Sequence, residues 1–268
     1  GSSSGLAEGT PLTVTINNVE YTTAVQADGS WSVGVTAAQV STWPAGTVNI
    51  AVSGESSAGN SVSITHPATV DLTPAAIAIN TIATDDVINA AEKGADLTLS
   101  GTTTNVEPGQ TVTVTFGGKN YTASVASDGS WTATLPAADL TALPEGSASA
   151  QASVSNINGN SASAVHNYSV DSSAPTIIIN TVASDNIVNA SEADAGVTVS
   201  GSTTAEAGQI VTVTLNSPTV QTYQATVQAD GSWSINIPAA DLEALTDGSH
   251  TLTATVNDKA GNPASTTH

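Results

Sequence analysis

The side chains in this chain best placed to do chemistry are carboxylates and an amide. They fall in a recurring order: Asp71, Asp85, Asp86 and Asp139, then Asp171, Asp185, Asp258 and Asn262. Oxygen donors brought from separate loops suit a hard divalent cation such as calcium, which takes about six to eight oxygen ligands in flexible geometry. Crowded like charges also repel, and a bound cation removes that cost. The competing reading is structural, since Asp is favoured in turns for bonding nearby backbone N–H groups. Asp128 and Asp230 each precede a glycine, and there the turn reading is the better one. For Asp85, Asp86, Asp171 and Asp185 the cation is the better reading, because a turn does not need two neighbouring carboxylates.

What positions these residues is a repeat. The stretch Val170–Glu192, VDSSAPTIIINTVASDNIVNASE, matches Val70–Glu92, VDLTPAAIAINTIATDDVINAAE. DGSW occurs at Asp28–Trp31, Asp128–Trp131 and Asp230–Trp233. Ala37–Gly46, Ala137–Gly146 and Ala239–Gly248 correspond, as do the Gly-Asn pairs Gly59-Asn60, Gly159-Asn160 and Gly261-Asn262. Matching internal order in every copy marks a tandem array. The expected units are 1–71, 72–171 and 172–268. The first is incomplete: it lacks a counterpart of Ile77–Glu92 and, with Gly5 aligned on Gly101, has a shortened loop before Thr13. Gly1–Ser4 reads as an added or cut edge outside the fold.

Within a unit the apolar residues alternate, which is the period of a half-buried strand. Thr111–Phe116 puts Val112, Val114 and Phe116 on one face, and Gly117-Gly118 then reads as a hairpin turn. About seven short strands with regular turn signals predict an antiparallel β-sandwich per unit. Successive loops of such a sandwich alternate ends. Asp85, Asp86, Asp139, Glu145 and Asp171 then share one end of the middle unit, facing Asp230, Asp258 and Asn262 of the next.

Composition excludes several functions. With 3 Lys+Arg against 23 Asp+Glu the formal charge is −20, which repels nucleic acid and anionic lipid. There is no cysteine, so no disulfide can support these sandwiches. No apolar run reaches transmembrane length, no leader peptide is expected, and the chain is expected to be monomeric. His66, His166 and His268 recur singly and read as packed side chains on the inward parity of a strand rather than zinc ligands. Trp43 stands where its siblings carry Leu143 and Leu245; a filled core pocket is the better reading, an exposed ligand platform the other.

The combination of the VDxxxP junction, the acidic turn ending N-A-x-E, DGSW and AADLxAL resembles the bacterial Ig-like repeats of giant type I-secreted adhesins, the non-fimbrial and biofilm-associated kind. The resemblance implies all-β, tandem Ig-like domains forming a rod on a Gram-negative surface, with calcium bound near the domain junctions. The implied partners are neighbouring repeats of the same chain and, through the full-length adhesin, a host-cell glycan or protein. It implies a calcium-rigidified spacer supporting cell adhesion or biofilm formation; the alternative is that the domains themselves bind a host ligand. Catalysis finds no motif: there is no nucleophile elbow, phosphate loop or HExxH. Lys93, Lys119 and Lys259 occupy non-equivalent positions, against a repeated intramolecular cross-link.

Overall fold

Alternating side chains give each strand one apolar and one polar face, and the apolar faces must be covered. The computed structural model, which describes residues 1–216 and 220–268, is accordingly all-β, with Ig-like sandwiches and only short helices. Its contacts divide it into two compact units: Gly1–Ala75 with Asn156–Ser161, and Ala76–Ser155 with Ala162–His268.

The first unit contains β1 (Pro11–Ile16), β2 (Val19–Ala24), α1 (Ala37–Val40), β3 (Gly46–Glu55) and β4 (Ser61–Val70), in one sheet ordered β2-β1-β3-β4. The β1–β2 turn is Asn17-Asn18, with φ of 47° and 62°, a conformation Asn tolerates better than most residues. Val14, Ile16, Val48 and Val70 are buried, and Tyr21, Trp31 and Trp43 pack against them. Trp43 therefore occupies a core pocket. Val62 and Ile64 on β4 stay 51% and 66% exposed, because no second sheet covers them among the described residues.

The start of the chain corrects the expectation of an edge outside the fold. Gly1 O accepts from Trp31 N at 3.0 Å, and Ser3 N donates to Gly29 O at 2.8 Å. A Cβ on Gly1 would come within 2.3 Å of the Trp31 ring, as one on Gly101 would come within 2.5 Å of Trp131. Gly1, not Gly5, is thus the counterpart of Gly101. Ser2–Ser4 match Thr102–Thr104, and the loop before Thr13 is not shortened.

The second unit carries two sandwiches in succession. The first comprises β5 (Ala76–Ile79), β6 (Val87–Ile88), α2 (Ala90–Lys93), β7 (Leu97–Thr104), β8 (Thr111–Phe116), β9 (Lys119–Ser124), β10 (Ser130–Leu135), α3 (Ala137–Leu140), β11 (Gly146–Ser155) and β12 (Ser161–Val170). Its sheets are β10-β7-β5 and β6-β12-β11-β8-β9. Both contribute to one core, in which Trp131 is 1% exposed and Phe116 stacks on Tyr168 with ring centres 4.5 Å apart. The next comprises β13 (Ile177–Ile179), α4 (Ala190–Ala195), β14 (Val197–Thr203), β15 (Ile210–Asn216), β16 (Gln221–Thr226), β17 (Ser232–Ile237), α5 (Ala239–Glu243), β18 (Thr251–Asn257) and β19 (Pro263–Thr267). Its sheets, β13-β14-β17 and β16-β15-β18-β19, enclose a separate core around Trp233. Gly101 and Gly201 are required by packing: a Cβ at either would lie 1.9 Å from a neighbouring strand's carbonyl oxygen and 2.5 Å from the Trp131 or Trp233 ring.

Candidate functional site

The acidic turn after β5 is built by its own side chain. Asp86 Oδ1 accepts from Ile82 N at 2.8 Å, while Asp86 N donates to Ile82 O at 2.7 Å, closing the loop on itself. Ala83, Thr84 and Asp86 sit at φ of 51°, 73° and 65°, a left-handed path that costs energy for residues with a Cβ. His166 Nε2 lies 2.7 Å from the same Asp86 oxygen. The Ile82 N–H first, and His166 second, hold the Asp86 carboxyl below its ordinary range. The later copy keeps this geometry with an amide: Asn186 Oδ1 accepts from Val182 N at 2.8 Å, and His268 Nε2 lies 2.8 Å away. Since that amide oxygen only accepts, Nε2 of His268 is the protonated nitrogen. The inward parity expected for His166 holds, but the side chain clasps the acidic turn rather than filling the core. Asp85 and Asp185 each spend one oxygen on a backbone N–H two residues on, at 3.0 Å.

Asp139 lies apart from these residues. It receives Tyr121 Oη at 2.7 Å and the Lys119 ammonium, and those two interactions, Lys119 foremost, lower its pKa. Burial, and then the Asp139 bond, push the Tyr121 hydroxyl up to about 12. Tyr223 and Asp241 repeat the bond at 2.7 Å. This pair fastens the short helix to the β8–β9 hairpin. Glu145, at the end of the α3 loop, receives Ser172 N at 2.9 Å and Lys93 Nζ at 3.1 Å, and also the Ser172 hydroxyl. The Ser172 hydroxyl and amide, then Lys93, bring it down to about 2. Asp230 bonds Ser232 N at 3.0 Å within its own turn, as the turn reading expects.

The structure does bring together Asp171, Asp258 and Asn262. Asn262 is 1% exposed and Asp258 8%. Asn262 Nδ2 donates to Asp171 O and to Asp258 Oδ2, each at 2.9 Å; its Oδ1 accepts from Ala90 N at 2.8 Å; and its own N–H reaches Asp258 Oδ1 at 2.8 Å. The helix at Ala90 starts here because Asn89 and Glu92 cap each other's backbone N–H groups. In the first unit, Asp71 has a comparable setting. Its carbonyl accepts from Asn160 Nδ2 at 3.1 Å, and its carboxylate accepts from Asn158 Nδ2 at 2.6 Å and Thr73 N at 2.9 Å. Thr73, followed by Asn158, keeps that carboxyl below its usual range. The turn residue matching Asp258 is Asn156, so this set holds one carboxylate where the other holds two.

Hard oxygen donors of this kind suit calcium chemically. Asp258 is 8% exposed, and among the described residues its carboxylate accepts from Asn262 N and Asn262 Nδ2. The candidate residues are nonetheless dispersed. Asp85 and Asp86 line an open groove with Ser147 and Asn167, and among the described residues no hydrogen bond links them to Asp258 or Asn262. No three Asp, Glu, His or Cys side chains gather into a metal-holding group among the described residues.

Residues 173–268 match the family model for the bacterial Ig-like domain. No curated protein matches the chain. Among solved structures, a Ca2+-stabilized adhesin with which an Antarctic bacterium reaches out and binds ice is 34% identical; the match covers 99% of this chain and 66% of that one, with a TM-score of 0.48. A 1.5-MDa bacterial ice-binding adhesin, studied for its host cell surface retention, is 31% identical over 100% of this chain and 87% of that one, TM-score 0.49. A bacterial immunoglobulin-like domain from the M. primoryensis ice-binding adhesin is 31% identical over 37% of this chain and 96% of that one, TM-score 0.30. The present chain thus spans about two-thirds of the first of these. The chain belongs to the bacterial Ig-like repeats of large adhesins.

Proposed function

We propose that this chain is a stalk segment of a bacterial surface adhesin: three Ig-like domains, 1–71, 72–171 and 172–268, acting as a spacer, with calcium strengthening the joints between them. The observation that supports this best is the Asp171–Asp258–Asn262 cluster, where the end of one sandwich and the loop of the next share buried polar groups. A spacer needs joints that do not swing, whereas small interdomain contacts leave motion as the default. Calcium would be held there by the carboxylates of Asp171 and Asp258, with carbonyl oxygens and water completing the shell. The calcium-stabilised relative supports this reading, as does the formal charge of −20. With one carboxylate fewer, the Asp71 set binds the ion more weakly. Asp85, Asp86 and Asp185 hold their turns first and serve calcium second. Surface display on a Gram-negative cell, export by type I secretion and a part in biofilm formation belong to the same proposal.

Domains that themselves bind a host glycan or protein would need an exposed platform, and Trp43 packs against the first unit's core instead. The test is replacement in the full adhesin. Exchanging this segment for an unrelated Ig-like segment with the same number of domains should leave adhesion intact, while deleting it should weaken adhesion by shortening reach. Binding of target cells by the isolated chain, abolished in the exchanged adhesin, would contradict the spacer role.

A further inference from the structure

The buried Asn262 makes a second claim, separate from the cation. Its contacts to the preceding sandwich are to main-chain groups only, the N–H of Ala90 and the carbonyl of Asp171. It uses its amide oxygen and both amide hydrogens, so its side-chain hydrogen-bonding capacity is committed in one arrangement. At 1% exposure, losing any one partner would leave a desolvated polar group. The turn that presents it is rigid: Asp258 N donates to Asn262 O at 3.1 Å, and Gly261, at φ 89°, donates to Asp258 O at 3.1 Å. The segment that receives it is equally fixed, with Asp171 N on Ile88 O at 3.0 Å and Ser172 N on Glu145 Oε2 at 2.9 Å. Asn160 makes the same amide-to-carbonyl bond with Asp71 O at 3.1 Å in the first unit.

We propose that the asparagine of the Gly-Asn turn is a connector, a docking element whose partner is the backbone of another repeat's Val-Asp strand end, and that it fixes the register of the third sandwich on the second without any cation. Because it reads backbone rather than side chains, any repeat ending in this strand geometry is a compatible partner, and repeats can be exchanged within an array. The inference rests on the stalk reading, but it makes the joint's alignment independent of calcium.

The chain has no cysteine, so Thr122→Cys and Thr222→Cys, at exposed strand positions of the two sandwiches, take spin labels selectively. Distances between the labels are measured by pulsed electron resonance in EGTA and in calcium. The connector predicts a single narrow distance in EGTA. Asn262→Ala and Ala90→Pro should each lose it. Proline is tolerated at a first helical position, and Asn89, with φ −85° and ψ 179°, already has the backbone that must precede it, so the second variant removes the N–H without unfolding the helix. Asp171→Asn should keep the narrow distance in EGTA. Near-ultraviolet dichroism of the buried tryptophans reports folding in each case. A parent distance that is broad in EGTA and narrow only with calcium would overturn the connector and leave the calcium-stiffened stalk standing. A narrow distance in EGTA for both Asn262→Ala and Ala90→Pro would also overturn it.

Discussion

At the scale of residues, the repeat acts as its own mutagenesis experiment. Tyr121 and Tyr223 donate to an Asp on the following short helix, but in the first unit that position is Gln39, which caps Thr36 instead. Among the described residues, Tyr21 Oη is left buried without a partner. The change Gln39→Asp, which leaves the Thr36 hydroxyl capping the N–H of residue 39, gives Tyr21 the sibling carboxylate and should stabilise the first unit by about 1 kcal/mol, the usual net value of one hydrogen bond. Amide hydrogen exchange of β1 and β2 would read this, and unchanged or faster exchange would show that the orphaned hydroxyl is not what weakens the unit. The converse holds at Gly101, where a Cβ would press on both a carbonyl and the Trp131 ring. Gly101→Ala should cost about 3 kcal/mol or more in chemical denaturation, and a loss well under 1 kcal/mol would mean the strand and ring can separate cheaply.

At the scale of elements, period-two patterning makes the strands legible: Thr111–Phe116 is a strand over the residues it predicts. Gly-Ser-Ser-Ser-Gly reads as linker by composition, but Gly1–Ser4 matches Gly101–Thr104 and Gly201–Thr204, beneath the same tryptophan. The helix at Ala90 was hidden by its length, although Asn-Ala-Ala-Glu carries a capping box. Of the candidate site, loop alternation expects Asp171, Asp258 and Asn262 at one junction, and Asn262 bonds the Asp171 carbonyl and the Asp258 carboxylate there. The bonds that commit Asp139 and Asp86 elsewhere depend on side-chain reach across strands, which no spacing rule encodes.

The linker after β12 is also an element with its own pH response. Glu145 has its pKa lowered to about 2 from 4.5 by Ser172 and Lys93. A depressed carboxyl pKa stabilises the folded joint above the unfolded value, and that contribution is lost as pH falls through the folded one. The Ser172 amide should therefore keep its bonded NMR shift down to about pH 3 and lose it only as pH falls through about 2, with Glu145→Gln shifted already at neutral pH. A Ser172 shift that ignores both acid and the substitution would remove Glu145 from the joint.

At the scale of the whole molecule, a chain with a formal charge of −20 carries the buried carboxylate of Asp258 beside the strand end at Asp171. A ligand that binds only the folded state stabilises it by mass action, about 2.7 kcal/mol at a hundred times its Kd. The removal of Asp171 and Asp258 carboxylates, as Asp171→Asn with Asp258→Asn, should abolish most of that gain while leaving the fold intact. The most direct measurement is calorimetric unfolding of the chain in calcium, in EGTA and in magnesium. The transition of the last two sandwiches should rise in calcium, magnesium should not reproduce the rise, and the double variant should barely respond. Superimposable unfolding curves for the parent chain in calcium and in EGTA would contradict the calcium-strengthened stalk.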